Sequence, residues 1–186
     1  TLCDPYLGPL PEPAAKGTQG LTIGSCGRLA YARNPEAFLT LCQRLTDSRN
    51  DVKGKWIGSG PQEAEFRRRR EDMNLAGKGE LTGWLDSADV AKQLKTLDIF
   101  IHYSRWEGLP NAVLEAMAHG LPVIASDVVG NRDAVAHGKT GFLAKSEIEL
   151  LEYCLKLADD AALRGRLGDA GRRRVLNDFS SAAFLS

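Results

Sequence analysis

Glu107 and Glu115 lie in one stretch, SRWEGLPNAVLEAMAHG from Ser104 to Gly120, with seven residues between them. The pattern predicts a helix that begins in that interval. Pro110 suits a first helical turn, where its missing N–H would have had no partner, and Gly120 suits a left-handed stop. Glu107 is then a loop residue, and Glu115 sits about five residues into the helix. Helical side chains tilt toward the N-terminus, so Glu115 leans back toward the amides of Asn111, Ala112 and Val113. Unpaired N–H groups at the positive end of a helix favour phosphate, and carboxylates accept hydrogen bonds from hydroxyls. A ligand with both groups, such as a sugar nucleotide, answers this combination.

The cations for such a ligand come from the loop GSCGRLAYARNP, which holds Arg28 just after an expected strand and Arg33 just before an expected helix. Arginines make strong charge-assisted bonds to phosphate, so two flanking one turn could clamp a diphosphate without a metal; from spacing alone, plain surface charge is an equal reading. Gly58-Ser59-Gly60 opens like a dinucleotide fingerprint, but Pro61 follows and the third glycine is missing, which weakens a redox reading. Its glycines still permit close approach of backbone to a ligand. Arg67 to Arg70 is bracketed by Glu63, Glu65, Glu71 and Asp72 at helical spacing, so it reads as a solvated, self-paired face, as does Arg172 to Arg174. His102, His119 and His137 share no metal-ligand spacing and none reads as catalytic; His119 falls in a last helical turn, where the dipole favours a cation. No serine sits in a nucleophile elbow. Paired carboxylates also fit a glycosidase, but a Glu115 held ionised beside phosphate would be a poor acid.

These residues need a frame. Residues 1 to 20 hold Pro5, Pro9, Pro11 and Pro13 with Gly8, Gly17 and Gly20, and read as a linker or irregular leading segment. Strands are expected over Leu21 to Cys26, Lys55 to Ile57, Glu80 to Thr82, Asp98 to Tyr103, Pro122 to Ala125 and Gly141 to Ala144. Between them come a helix opened by Asn34-Pro35, a charged helix to about Leu75, one capped by Ser87, the helix bearing Glu115, and, beyond a Gly130 loop, a short one near Asp133 to Ala136. Ser146 and Glu149 form a capping box for a helix with Ile148, Leu151, Leu155 and Ala158 facing in, and a last helix follows. Short apolar strands alternating with helices imply an α/β, Rossmann-like, doubly wound parallel sheet covered on both faces. Its ligand crevice lies beyond the carboxyl ends of the strands, where the glycine-bearing loops fall.

The chain has 186 residues, the size of one generous domain over 21–186. Lys and Arg total 24 and so do Asp and Glu, so nothing in the net field points to nucleic acid or an anionic membrane. Cys3, Cys26, Cys42 and Cys154 form no CxxC and read as reduced thiols of a cytoplasmic protein, and no apolar run reaches the length of a membrane span. The missing starting Met and the stop inside AAFLS point to a fragment of a longer protein.

With these residues in place, the chain resembles the retaining glycosyltransferases of family 4 (glycosyl transferases group 1), and within them the C-terminal, donor-binding half of the GT-B fold. The resemblance runs from about Leu21 to Ser180. Its most specific part is Glu107-Gly108-Leu109-Pro110-Asn111 through Glu115-Ala116-Met117-Ala118, the family's paired-glutamate motif. Gly27-Arg28-Leu29 with Arg33, the Gly58 to Pro61 turn, Gly83, Pro122 to Asp127 and Thr140-Gly141-Phe142 follow in the family's order. The resemblance implies that Arg28 and Arg33 hold the donor diphosphate, helped by the amides of Asn111, Ala112 and Val113. It implies that Glu115 accepts the ribose hydroxyls, that Leu85 lies against the base, and that Glu107 contacts the transferred sugar. Arg33 stands where lysine is usual and Asp133 where glutamate is common. The implied activity is metal-independent transfer of a hexose with retained configuration, from a UDP-sugar first and GDP- or ADP-sugars as alternatives, with no cofactor. The acceptor site would belong to an N-terminal domain, so this domain alone would be inactive. The motif variant leans toward bacterial polysaccharide or lipopolysaccharide synthesis, with the full-length enzyme in the cytoplasm or at the inner face of the membrane. A non-catalytic sugar-nucleotide module and a nucleotide-sugar epimerase are the rival readings.

Overall fold

The structure, a computed structural model of the chain, describes residues 20–179. Residues 1–19 of the leading segment, Cys3 among them, and the AAFLS end fall outside them. Six strands form one wholly parallel sheet: β1 (Leu21–Cys26), β2 (Val52–Ile57), β3 (Gly79–Leu81), β4 (Ile99–His102), β5 (Val123–Ser126) and β6 (Gly141–Ala144). Their order is β3-β2-β1-β4-β5-β6, so the winding reverses between β1 and β4, where Ile23 pairs with Ile99 and Gly24 with Phe100. This is the expected doubly wound sheet, and the reversal opens its crevice between the loops that leave β1 and β4.

Alternation along the strands splits the interior in two. Ile23, Trp56, Ile99, Ile101, Ile124 and Phe142 face one way, under α1 (Pro35–Ser48), α2 (Glu63–Asp72) and α6 (Glu147–Asp159). Phe100, Val123, Ala125 and Leu143 face the other, under α3 (Ser87–Leu94), α4 (Asn111–Ala118) and α7 (Ala161–Asp178). On the second face Gly24 leaves room for Leu97, whose side chain occupies the space a Cβ would need.

Several local expectations need correcting. Asp86, not Ser87, caps α3: its carboxylate accepts the Asp89 N–H at 2.8 Å, which moves the cap one residue upstream. Gly130 is not in a loop but inside α5 (Val129–Ala134). In α6, Leu150, Cys154 and Leu157 are the buried line and Ile148 is exposed. Leu151, Leu155 and Ala158 flank that line half-buried; two apolar stripes one residue apart differ by about 100° around a helix, and the deeper one includes a cysteine. The cap holds as to Ser146 Oγ, which accepts the Glu149 N–H at 3.2 Å, but the Glu149 carboxylate returns to the Lys145 N–H.

Arg67, Arg68 and Arg69 pair with Glu63 and Glu65 at 2.7–2.8 Å, the self-paired face expected of them. The Arg172 to Arg174 run is different. Arg172 donates to the Ala118 carbonyl at 2.8 Å and Arg174 to the Asp133 carbonyl at 2.9 Å, so two of these arginines staple α7 to the carboxyl ends of α4 and α5. Carbonyls at a helix end lack partners within the helix, and cations meet them favourably.

Candidate active site at the reversal of the sheet

β1 ends at Cys26, and Gly27, with φ 140°, turns the chain out of the sheet. The next residues are fixed backbone to backbone: Gly27 N–H donates to the Ile57 carbonyl, Leu29 N–H to the Ser59 carbonyl, and Gln62 N–H to the Leu29 carbonyl, at 2.9–3.0 Å. Trp56 adds an Nε1–H to the Gly27 carbonyl at 3.0 Å. Side chains at Gly58 or Gly60 would overlap the Gly27 and Leu29 backbone. The glycines of this turn permit a close approach to the neighbouring loop. Arg28 projects from the clamped loop, exposed and without a hydrogen bond to any described residue.

Tyr31–Arg33 form a single 3-10 turn that ends in the left-handed Asn34 ahead of α1. The loop leaving β4 is tied to that turn by Arg105 N–H donating to the Ala32 carbonyl at 2.8 Å, and the Arg105 guanidinium stacks on Tyr31 with 4.3 Å to the ring centre. This crossing of two loops brings Arg33 to Glu107. Arg33 Nη1 donates to Glu107 Oε2 and lies 3.0 Å from His102 Nε2, which is itself 2.9 Å from Glu107 Oε2 and 3.2 Å from Ser104 Oγ. The Glu107 side chain is 9% exposed and that of Arg33 30%. Burial works against the Arg33 charge and lowers its basicity, while Glu107 beside it supplies the counter-charge. Arg33 Nε lies on the Gly27 side of the group, 3.7 Å from where a Cβ on Gly27 would stand.

Behind Glu107 stands α5. A methyl group on Gly130 would overlap the Gly108 carbonyl oxygen and crowd that of Glu107, so the bare backbone of Gly130 is the seat of the Glu107 loop. Asn131, fully buried, reinforces the seat with Nδ2 bonds to the Ser126 carbonyl at 3.0 Å and the Ser126 hydroxyl at 3.1 Å, and that hydroxyl donates to the Ser104 carbonyl at 2.6 Å.

Pro110 is the N-cap of α4 and Glu115 its fifth residue. Of the three amides expected to be open, Val113 N–H is taken by the Pro110 carbonyl at 2.8 Å and Asn111 N–H by the Leu109 carbonyl at 3.0 Å, which leaves that of Ala112 as the open donor. Asn111 Oδ1 is buried without a partner beside it. Glu115 is half-buried and faces the end of β1, where its charge adds to the burial that pushes the Cys26 thiol up to about 12. Burial also raises Glu115 itself. The expectation that this carboxyl is held firmly ionised therefore needs the phosphate-side charges to offset a desolvation that works the other way.

Leu85 is half-buried against α3 and its core, next to the wide-open Trp84 and two residues after Gly83, whose φ is 77° and which bridges to Gly58. Asp133 is exposed on α5. His119 is the C-cap of α4 and meets the helix end as expected, its Nδ1 2.9 Å from the Glu115 carbonyl, while burial lowers its pKa, so it does so as an N–H donor. Among the described residues no group of three or more His, Cys, Asp or Glu side chains is placed to hold a metal ion. No helix of the described residues is long and apolar enough to cross a membrane.

Sequence reasoning passed over Ser104 and Asn131, read His102 as non-catalytic and placed Gly130 in a loop. The signal for His102 was there: it is the one polar residue of a strand otherwise made of Ile and Phe, at the strand's carboxyl end.

Comparison with known proteins agrees with the motifs. Residues 10–174 match the model of glycosyl transferases group 1. The chain is 30% identical over 159 residues to the UDP-Gal:alpha-D-GlcNAc-diphosphoundecaprenol alpha-1,3-galactosyltransferase of Escherichia coli, covering 83% of this chain and 40% of that protein. It is 33% identical over 156 residues to the GDP-mannose-dependent alpha-mannosyltransferase of Mycolicibacterium smegmatis, covering 83% and 38%. The chain thus spans less than half the length of these relatives. Among solved structures, a mutant of Staphylococcus aureus TarM in complex with UDP, fondaparinux and alpha-GlcNAc-glycerol superposes with a TM-score of 0.87 at 22% identity, over 94% of this chain and 36% of the other. The C-terminal domain of a glycosyl transferase group 1 family protein from Francisella tularensis superposes with a TM-score of 0.79 at 23% identity, over 88% of each. At those identities the superpositions speak for the fold, the Rossmann-like half of a GT-B glycosyltransferase. A match over most of its length, together with the ordered motifs, shows that the chain belongs to the glycosyl transferases group 1 family.

Proposed function

We propose that this domain binds the donor of a retaining glycosyltransferase, a nucleotide diphosphate hexose with UDP as the first choice of nucleotide, and that the full-length protein transfers the hexose to a glycan or lipid-linked acceptor in polysaccharide synthesis. The observation that carries the reading is the meeting of Arg33 and Glu107 where the winding of the sheet reverses, with Glu115 and Arg28 on the same rim. Arg28 and the Arg33 guanidinium take the diphosphate, and the Ala112 amide adds the positive end of α4. Glu115 accepts the ribose hydroxyls, Leu85 lies along the base, and Glu107 faces the sugar near the reacting carbon. Charge on the departing diphosphate is stabilised by two arginines and a helix end, which needs no divalent metal. An acceptor-binding domain, at the cytoplasmic side of a membrane, completes the enzyme. The names of the relatives support this reading, since both transfer a hexose with α linkage from a nucleotide sugar.

Calorimetry on the folded domain with UDP, GDP and ADP tests it. Binding of at least one is expected, and silence from all three removes the proposal. Glu115→Ala should weaken the preferred nucleotide about tenfold, as expected for loss of charged hydrogen bonds, and more than Glu107→Ala does. A pH titration checks the role from another side. A raised carboxyl pKa means that Glu115 takes up a proton as pH falls while ordinary glutamates are still ionised, so ribose binding is strongest above that pKa and is lost as pH falls through it. Wild type should therefore lose affinity on acidification from above pH 4.5 more steeply than Glu115→Gln. Parallel curves for the two proteins would remove Glu115 from the ribose. The same shift has the opposite sign for folding: the buried carboxyl favours the folded state when protonated, and that contribution disappears as pH rises through the raised pKa.

A further inference from the structure

His102 closes β4 with 2% of its surface exposed. Three polar atoms converge on its Nε2: Glu107 Oε2 at 2.9 Å, Arg33 Nη1 at 3.0 Å and Ser104 Oγ at 3.2 Å. The proposed transfer gives this ring no bond to make. It is neutral at neutral pH, its pKa pushed down to about 3 by burial first and by Arg33 second.

A neutral imidazole has one N–H and one bare nitrogen. Arg33 can only donate and an ionised Glu107 can only accept, so Nε2 cannot serve both. Bare, it takes an N–H from Arg33 and meets the carboxylate lone pair to lone pair. Protonated, it donates to Glu107 and meets the guanidinium N–H head on. The tautomer is therefore tied to where Arg33 points.

Arg33 has two claimants. Its Nη1 reaches Glu107 directly, and in the reading above the same guanidinium serves a diphosphate. When a diphosphate draws it away, the 9% exposed carboxylate of Glu107 loses its cation. A buried charge left alone is strongly destabilising. Among the described residues, Arg33 Nη1 and His102 Nε2 are the two donors within hydrogen-bond reach of that carboxylate.

We propose that His102 is the positioning residue for Glu107: a neutral ring that accepts an N–H from Arg33 at Nε2 when the site is empty, and donates an Nε2–H to Glu107 when a diphosphate engages Arg33. The proton is lost at Nδ1 and gained at Nε2, so the ring's charge does not change. Glu107 keeps its orientation toward the sugar while its cation turns to the ligand. The proposal rests on the assignment of Arg33 to the diphosphate.

A double-mutant cycle on UDP affinity tests it, by calorimetry on folded protein with GDP and ADP in parallel. His102→Leu should weaken binding about tenfold, because Glu107 then has no donor once Arg33 leaves. His102→Gln, whose amide nitrogen reaches the Nε2 position, should stay within about threefold of wild type. In a Glu107→Gln background the loss from His102→Leu should shrink to less than about twofold, since no charge is stranded. The imidazole nitrogen NMR shifts give an independent readout: UDP should move His102 from the Nδ1–H to the Nε2–H tautomer. No loss, an equal loss in both backgrounds, or an unchanged tautomer in a protein that binds UDP overturns the positioning role and leaves the nucleotide site standing. A folded wild type that binds none of the three nucleotides overturns the functional reading, and this role with it.

Discussion

Glu107→Ala in the full-length protein should lower sugar transfer by about a hundredfold to a thousandfold, the range seen when one electrostatic contact to a developing charge is removed, while UDP affinity holds or rises. The asymmetry follows from the ion pair. Glu107 occupies Arg33 Nη1, so removing the carboxylate releases that N–H group for phosphate and the ground-state complex is not weakened. Transfer suffers because, in the role proposed for Glu107, the group facing the reacting carbon is gone. Rates measured with the donor and acceptor that wild type uses, alongside calorimetry with UDP, separate the two effects. Equal transfer by the two proteins would sink the role assigned to Glu107, and a parallel loss of binding and transfer would make it a binding residue.

Gly130→Ala should unfold the site by sterics alone. Alanine normally gains roughly 1 kcal/mol over glycine inside a helix, and Gly130 lies inside α5 at an ordinary φ. Against that gain stands the Gly108 carbonyl oxygen, which lies where the new methyl group must go. Backbone cannot swing aside as a side chain can, so the clash wins. The expected cost is about 3 kcal/mol, or a fall of roughly 6–12 °C in Tm for a chain of this size, with transfer falling as the Glu107 loop is pushed from its seat. Gly108→Ala is the control: a Cβ there meets open space, and its Tm should stay within about 2 °C of wild type. Thermal melts of the three proteins decide the matter; an unshifted Gly130→Ala would mean that the loop yields freely.

The architecture was legible because the two strongest signals in the sequence agree. Alternating short apolar strands and helices gave the doubly wound sheet, and proline with glycine at either end bounded α4 to within a residue. Local rotation was harder to read. In α6 two apolar stripes lie side by side, and choosing the one that includes Ile148 selected the flank over the buried line. The candidate site was legible as a set of residues but not as a set of contacts. Arg33 and Glu107 are 74 positions apart, and their pairing depends on the 3-10 turn meeting the β4 loop. His102 read as non-catalytic because what converges on its Nε2 comes together in space, not from any spacing along the chain. Gly130 read as a loop because a glycine's absent side chain has no sequence-level sign of what fills its place.

The weld between the Gly27 to Leu29 loop and the Gly58 to Gly60 turn shapes how this rim can diverge over generations. Most of the bonds there run backbone to backbone, with Trp56 as the side-chain addition, so identity matters mainly at the glycines, which any Cβ would pry apart. Arg28, standing on the same loop, owes the weld nothing and is free to drift in length, shape or charge without loosening it. In a saturation library scored for folding, Gly58 and Gly60 should be nearly monomorphic and Arg28 nearly neutral. Scored for nucleotide capture, Arg28 should join them. With the proposed role of Arg28, constraints of shape and of chemistry fall on different residues of a single loop pair, and a lineage can retune its ligand there without first risking its fold.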